Sequence, residues 1–406
     1  MLYHAYEVQR SWLDGASAWA AVGARMLGNP ANPFGYTAMG PVTASALDVF
    51  AHASAPRGKP AFGIAAVEVD GKSWPVTETV VLHKPFGSLR AFRREGLPDD
   101  APRLLIVAPM SGHYATLLRG TVERMAESAH VFITDWADAR DVPVAEGRFD
   151  LDDYIDYLIA FLEHVGPGAH MMAVCQPSVP ALATTAIMNA GNHPAAPRTL
   201  TMMGGPIDTR CSPTSVNDLA MDRPIGWFRD NVVATVPLRY AGAGRRVYPG
   251  FLQLAGFMSM NLGNHLMSHW EMFKHLTVGD RESAQATKDF YEEYRSVCDM
   301  TAEFYLQTVE EVFQKHSLPN GTYRHRGAPV DPGAITRTAL LAIEGERDDI
   351  SGLGQTRAAL DLAPNLPADA KRYYMAEGAG HYGIFNGSRW RTKIAPVVEE
   401  WMAAHG

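Results

Sequence analysis

The chain has 406 residues, of which 47% are apolar and 20% charged, a composition that supports a large buried core. With 36 Lys and Arg against 44 Asp and Glu the formal net charge is -8, which excludes a nucleic-acid partner, because phosphate-binding surfaces carry an excess of basic groups. Three cysteines, Cys175, Cys211 and Cys298, are too few and too scattered for a disulfide framework and point to a reducing compartment.

The chain starts MLYHAYEVQRSWLDG, where Glu7, Arg10 and Asp14 interrupt any signal-peptide core. No stretch approaches about 18 uncharged apolar residues, so the sequence predicts a cytoplasmic protein without a membrane span. Residues 2 to 27 read as an amphipathic helix with Leu2, Tyr6, Leu13, Ala16, Ala20 and Met26 on one face and Trp12 and Trp19 beside it. Such a helix either packs on its own domain or offers a surface that adsorbs to an apolar substrate phase.

From residue 62 a strand and crossover rhythm begins: AFGIAAVEVDG, ETVVLHKPFG, RLLIVAP, HVFITDW, the helical DYIDYLIAFLEHVG, the strand AHMMAVC, the helical PALATTAIMNAG, and RTLTMMGG. Short apolar runs alternating with helical periods predict βαβ units, hence an α/β fold with a mostly parallel sheet. The rhythm stops near residue 210 and resumes with TALLAIEGERDD and KRYYMAEGAGHYGIF. The expected division is a helical N-terminal segment over 1–61, a core over 62–210 and 336–406, and a helical cap inserted over 211–335. The sequence holds no internal repeat and no low-complexity tract.

In AHMMAVCQPSVPALATT an apolar strand ends at Cys175 and runs directly into a helical pattern. That is the layout of the nucleophile elbow of the α/β-hydrolase fold, in which a tight turn lifts a side chain above the sheet and the next helix aims its N-terminus at the developing oxyanion. A thiol suits the position, because a helix N-terminus and a nearby histidine both favour the reactive thiolate. The motif departs from G-x-S-x-G: Ala173 is still small, but Pro177 stands where a glycine is usual, and G-x-S-x-G occurs nowhere else in the chain. Cys211 and Cys298 lack this context and read as structural.

In this fold the acid and then the histidine follow the nucleophile in chain order. TALLAIEG leads into Asp348, at the G-x-x-D spacing from Gly345, with Asp349 as the solvent-facing alternative. Among 15 histidines, His381 sits in the Gly-rich loop EGAGHYG after the last strand, where it can return to the elbow as general base. The oxyanion hole is expected from the backbone N–H of Gln176 plus that of Met110 or Ser111 in the loop PMSGHY. His113 in the same loop either lines the site or stabilises the loop. His265 and His269, with Glu271 and His275 nearby, superficially suggest zinc, but H-E-x-x-H is absent. The glycines of AGAGRR and SGLGQT lack the strand-then-helix setting of a nucleotide fingerprint and read as turns, so neither metal nor cofactor is expected.

At this point several motifs, in order along nearly the whole chain, resemble the intracellular poly(3-hydroxybutyrate) depolymerases: MLYHAYEVQRSWL, PMSGHYATLLR, ITDWADAR, VCQPSVP, EGERDDISG and EGAGHYGIFNG. The resemblance implies a Cys-Asp-His set at Cys175, Asp348 and His381, and a granule-associated enzyme that releases 3-hydroxybutyrate monomers or oligomers from storage polyester. A cap rich in aromatics, with Trp227, Phe251, Phe257, Trp270 and Phe273, suits an apolar polymer chain, although each of these also fits plain cap packing. The alternatives are a polyester synthase, whose elbow usually reads G-x-C-x-G, an esterase or thioesterase for small acyl groups with water or a thiol as deacylating group, and a non-enzymatic granule-coating protein. A homo-oligomer is compatible with the sequence.

Overall fold

The computed structural model describes residues 2–29, 31–33, 37, 39–55, 58–260, 262–278 and 280–406. Some side chains in the helices between 250 and 295, those of Phe257 and His265 among them, lie outside the described residues. The described chain forms one central sheet from β1 (Ala66–Val69), β2 (Lys72–Lys84), β3 (Gly87–Arg94), β4 (Arg103–Val107), β5 (His130–Trp136), β6 (His170–Val174), β7 (Thr199–Met203), β8 (Ala339–Gly345) and β9 (Lys371–Ala376). Their order in space is β1-β2-β3-β5-β4-β6-β7-β8-β9. The pairs from β5 to β9 are parallel, and β1, β2 and β3 add antiparallel partners at one edge. This is the α/β-hydrolase fold.

The strands at the centre are apolar because both of their faces are covered. β6, β7 and β8 are buried at every residue. One face packs on α4 (Leu151–Val165) and α5 (Ser178–Ala190), and the other on α3 (Arg119–Met125) and α12 (Ala395–Ala404). α4 begins where its sequence encodes a start: Asp150 accepts from the Asp153 N–H at 3.0 Å while the Asp153 carboxylate accepts from the Asp150 N–H at 2.8 Å. β3 is a strand the sequence pattern conceals. Its arginines break the apolar run, yet Arg90 is neutralised by Glu78 at 2.7 Å and Asp135 at 2.5 Å, both on neighbouring strands.

The chain turns one way after β4, to β5, and the other way after β6, to β7, so the carboxyl ends of β4 and β6 diverge into a crevice. Between β7 and β8 it leaves the sheet for helices α6 (Ser215–Met221), α7 (Ile225–Asn231), α8 (Gly250–Met260), α9 (Leu262–Thr277), α10 (Arg281–Arg295) and α11 (Ala302–Thr308). This insertion also carries a small antiparallel sheet of Ala234–Thr235, Arg246–Tyr248 and Met300–Thr301, for which the sequence offers no readable period. The end of α11 widens into a π turn at Val309–Gln314.

α1 (Leu2–Leu27) forms as expected, and its docked face keeps only part of the expected stripe: Tyr6, Leu13 and Ala20 turn inward, while Leu2, Ala16 and Met26 are exposed. Tyr3, Glu7, Ser17 and Ala20 are buried, whereas Trp12 and Trp19 are each 79% exposed and Leu2 and Met26 are exposed as well. Polar partners decide the docking: Tyr3 donates to Asp299 at 2.6 Å, Ser17 donates to the Ala51 carbonyl at 3.0 Å, and Glu7 accepts from Tyr240 at 2.9 Å and pairs with Arg239. Ala51 belongs to α2 (Gly40–Ser54), a second N-terminal helix that packs on α1 and α9. No helix among the described residues is long and apolar enough to cross a membrane.

Phe149 joins the sheet's covering layer to the insertion: fully buried, it stacks on Phe86 at 4.9 Å and meets Phe304 of α11 at 6.1 Å. Phe149→Ala is expected to lower the unfolding free energy by about 3–5 kcal/mol, read from urea melts.

Candidate active site

β6 ends at the crevice, and the next residue, Cys175, takes a backbone φ of +67°. This left-handed conformation costs a non-glycine residue about 1–2 kcal/mol. Neighbouring backbone holds the turn: the Cys175 N–H donates to the Met203 carbonyl at 2.7 Å, and the Ser178 N–H donates to the Cys175 carbonyl at 3.0 Å as α5 begins. Pro177 fits as the cap residue just before that helix. The close passage that a glycine at its position would allow is supplied from β7 instead, since a Cβ on Gly205 would lie 2.2 Å from the Ser178 side chain.

Asp348 and His381 arrive from the loops after β8 and β9. His381 Nδ1 lies 2.7 Å from Asp348 Oδ2, with both side chains buried, and His381 and Cys175 line the same cavity. Asp348 Oδ1 accepts from the N–H groups of Ile350 at 2.9 Å and Ser351 at 2.8 Å, which orient the carboxylate, while Asp349 faces solvent. Burial disfavours the imidazolium, yet the charges of Cys175 and Asp348 and their hydrogen bonds outweigh it and hold His381 well above the ordinary histidine pKa. Gly204, at φ +59°, makes room for this pair, because a Cβ there would lie 3.1 Å from the His381 ring and 3.2 Å from Asp348.

The backbone N–H groups of Gln176, Met110 and Ser111 have no acceptor among the described residues, and all three residues line the same cavity as Cys175 and His381. That arrangement can receive an oxyanion. His113 lines the cavity too, and it also ties the loop down. It is buried, its Nε2 lies 2.9 Å from the Tyr294 carbonyl, and the adjacent Gly112 carbonyl accepts from the Cys298 N–H at 2.7 Å. Burial pushes the pKa of His113 down to about 4, against the pull of the Tyr294 carbonyl, so the ring is neutral at pH 7. The Cys298 thiol is buried, which raises its pKa well above the usual value, and burial raises that of Cys211 as well.

The cavity measures about 360 Å³ and runs from the elbow beneath the insertion. Of the aromatic residues expected to bind substrate, Trp227, Phe251 and Trp270 do not line it. Phe251 stacks on Tyr6 at 3.8 Å and anchors α1, Trp270 is 55% exposed beside Phe273, and Trp227 packs edge-on against Phe228 at 5.3 Å. Phe228, Tyr248, Phe304, Phe313 and Tyr382 form the wall instead. Adjacent helical residues cannot share a face, so once Phe228 turns inward, Trp227 turns out. The histidine run of α9 is dispersed: His275 lies 2.9 Å from Asp280, and His269 packs against Tyr291 at 4.3 Å.

A sheet of this order, with a cleft at the diverging ends of its strands, gives the protein the α/β-hydrolase fold. Residues 204–406, half of the chain, match the family model described as PHB de-polymerase C-terminus, and the chain belongs to that family. A comparison with curated proteins returns no match. Among solved structures, it is similar to a putative lipase from Acinetobacter baumannii AYE, with 13% identity, TM-score 0.44, and 81% of this chain and 93% of that one covered. The 2-hydroxy-6-oxo-6-phenylhexa-2,4-dienoate hydrolase from Rhodococcus sp. strain RHA1 is similar at 10% identity, TM-score 0.45, with 81% and 99% covered. The monoacylglycerol lipase of Paleococcus ferrophilus is similar at 13% identity, TM-score 0.43, with 75% and 96% covered.

The low pKa of His113 sets a pH signature. Unfolded, this histidine gains its proton near the ordinary value of 6.5, and folded only near 4, so its contribution to stability is present above pH 6.5 and lost as pH falls to 4. The stability advantage of wild type over His113→Gln is expected to shrink by about 3 kcal/mol between pH 7 and pH 4, measured by denaturant titration at each pH.

Proposed function

We propose that this enzyme hydrolyses the ester bonds of poly(3-hydroxybutyrate) through a thioester on Cys175. The observation that carries the reading is a left-handed Cys175 beside a buried His381–Asp348 pair at the end of an apolar cavity, in a chain of this family.

Cys175 Sγ, its proton passed to His381, attacks the ester carbonyl carbon. The carbonyl oxygen becomes an oxyanion held by the N–H groups of Gln176 and of Met110 or Ser111. As the tetrahedral intermediate collapses, the C–O bond breaks, His381 returns its proton to the departing alkoxide, and a hydroxyl-ended chain leaves. Water then gives a proton to His381 and adds to the thioester, and Cys175 departs with that proton as the carboxylic acid product is released. Asp348 holds the ring through its hydrogen bond to Nδ1 and steadies the imidazolium.

Amorphous polymer granules incubated with the protein are expected to release 3-hydroxybutyrate, and Cys175→Ala to lower the rate by at least about 10³-fold. Iodoacetamide is expected to abolish activity while labelling Cys175. Undiminished release by the variant, or inactivation with label only on Cys211 or Cys298, contradicts the assignment.

Association with the granule is supported by α1. Around Trp12 and Trp19 the exposed residues Val8, Gln9, Gly15, Ala16 and Val22 carry no charge, so this outward face suits a neutral polyester better than a charged surface. Trp12→Ala/Trp19→Ala is expected to reduce co-sedimentation with granules while leaving hydrolysis of 4-nitrophenyl butyrate unchanged. Equal sedimentation of variant and wild type refutes it.

A further inference from the structure

Two side-chain amides in the cavity carry buried atoms with no hydrogen-bond partner among the described residues. Gln176 follows the nucleophile, and both its Nε2 and its Oε1 are buried with no hydrogen-bond partner among the described residues. Gln253 faces the cavity from α8, and its Oε1 is likewise buried and unpartnered. Its amide lies over the oxyanion loop, since a Cβ on Gly112 would sit 2.2 Å from Oε1 and 2.5 Å from Cδ.

A buried polar group without a partner costs about 1–3 kcal/mol, and folded proteins rarely leave one so. Here both amides line the cavity that holds Cys175 and His381, one from the elbow and one from α8, while the surrounding wall is largely apolar, with Leu117, Leu219, Phe228, Phe304, Val309 and Phe313. A fatty-acyl ester fits such a wall but offers its tail no acceptor for the amides. A polyester of short hydroxyacids is different. Beside the scissile ester it presents another ester carbonyl, an acceptor only, flanked by methyl and methylene groups that match the wall. A glutamine amide turned about its last torsion presents its NH₂ to that carbonyl.

Building on the polyester reading above, we propose that Gln176 and Gln253 form a subsite whose side-chain amides bind the ester carbonyl next to the scissile one, so that the cleft selects a chain of repeated esters over a lone ester. The oxyanion hole uses backbone N–H groups, so the side-chain amides act separately from it.

The test compares kcat/KM for a linear trimer of 3-hydroxybutyrate with that for 4-nitrophenyl butyrate, which has one ester and no neighbour. Gln176→Met and Gln253→Met keep the side-chain length and remove the hydrogen bonds. In each variant the ratio of trimer to lone ester is expected to fall about tenfold. Should Gln176→Met fail to fold, Gln253→Met, which lies away from the elbow, reads the same ratio. An unchanged ratio, or equal losses on both substrates, overturns the subsite while the polyester reading stands on trimer cleavage by wild type. Wild type that cleaves 4-nitrophenyl butyrate but not the trimer removes the polyester reading and the subsite with it.

Discussion

The active centre depends on one strained residue. Cys175 is held at φ +67° between a strand buried at every position and the first turn of α5. A cost of about 1–2 kcal/mol persists only where the surroundings over-determine the conformation, and here they do, through the hydrogen bond to Met203 and the tight crossing at Gly205. The same turn raises the thiol toward His381 and frees the Gln176 N–H. The position of the proposed nucleophile and the geometry of the proposed oxyanion hole are therefore one constraint.

Around that turn the protein manages charge by burial. His381, though buried, can carry a proton because Asp348 and Cys175 stand beside it. His113, a loop away, is kept neutral by burial. Farther out, Asp138 accepts from Tyr114 at 3.0 Å and from the Asp299 N–H at 3.1 Å, and pairs with Arg140 at 3.0 Å. Asp299 in turn holds Tyr3 of α1 and accepts from the Gly250 N–H of α8 at 2.9 Å. Burial and the charge of Asp299 push Asp138 up to about 7. This network ties the N-terminal helices and the insertion to the loop that carries Met110 and Ser111.

The insertion does two jobs with its apolar residues. Those facing the sheet make the cavity wall, and those facing outward either hold α1, as Phe251 does, or reach solvent, as Trp270 does. The π turn after α11 brings Val309 and Phe313 to the wall.

Much of this was legible in the sequence because it is local. An apolar run with no alternation is a strand covered on both faces, a strand that runs straight into a helix at a cysteine is an elbow, and loops after later strands can carry only a few polar residues back to it. Hence the α/β sheet follows from spacing and order, and the same local signals bring Cys175, Asp348 and His381 together as the candidate site. Tertiary structure alone decided which face each helix turns inward. α1 docks through its hydrogen-bond partners together with only part of its apolar stripe, Phe228 displaces Trp227 from the cavity, and Gly205, far from the elbow in sequence, does the work expected beside Cys175. Helical periodicity defines a face but not its partner, and the partners here lie up to 296 positions away along the chain, as Asp299 does from Tyr3.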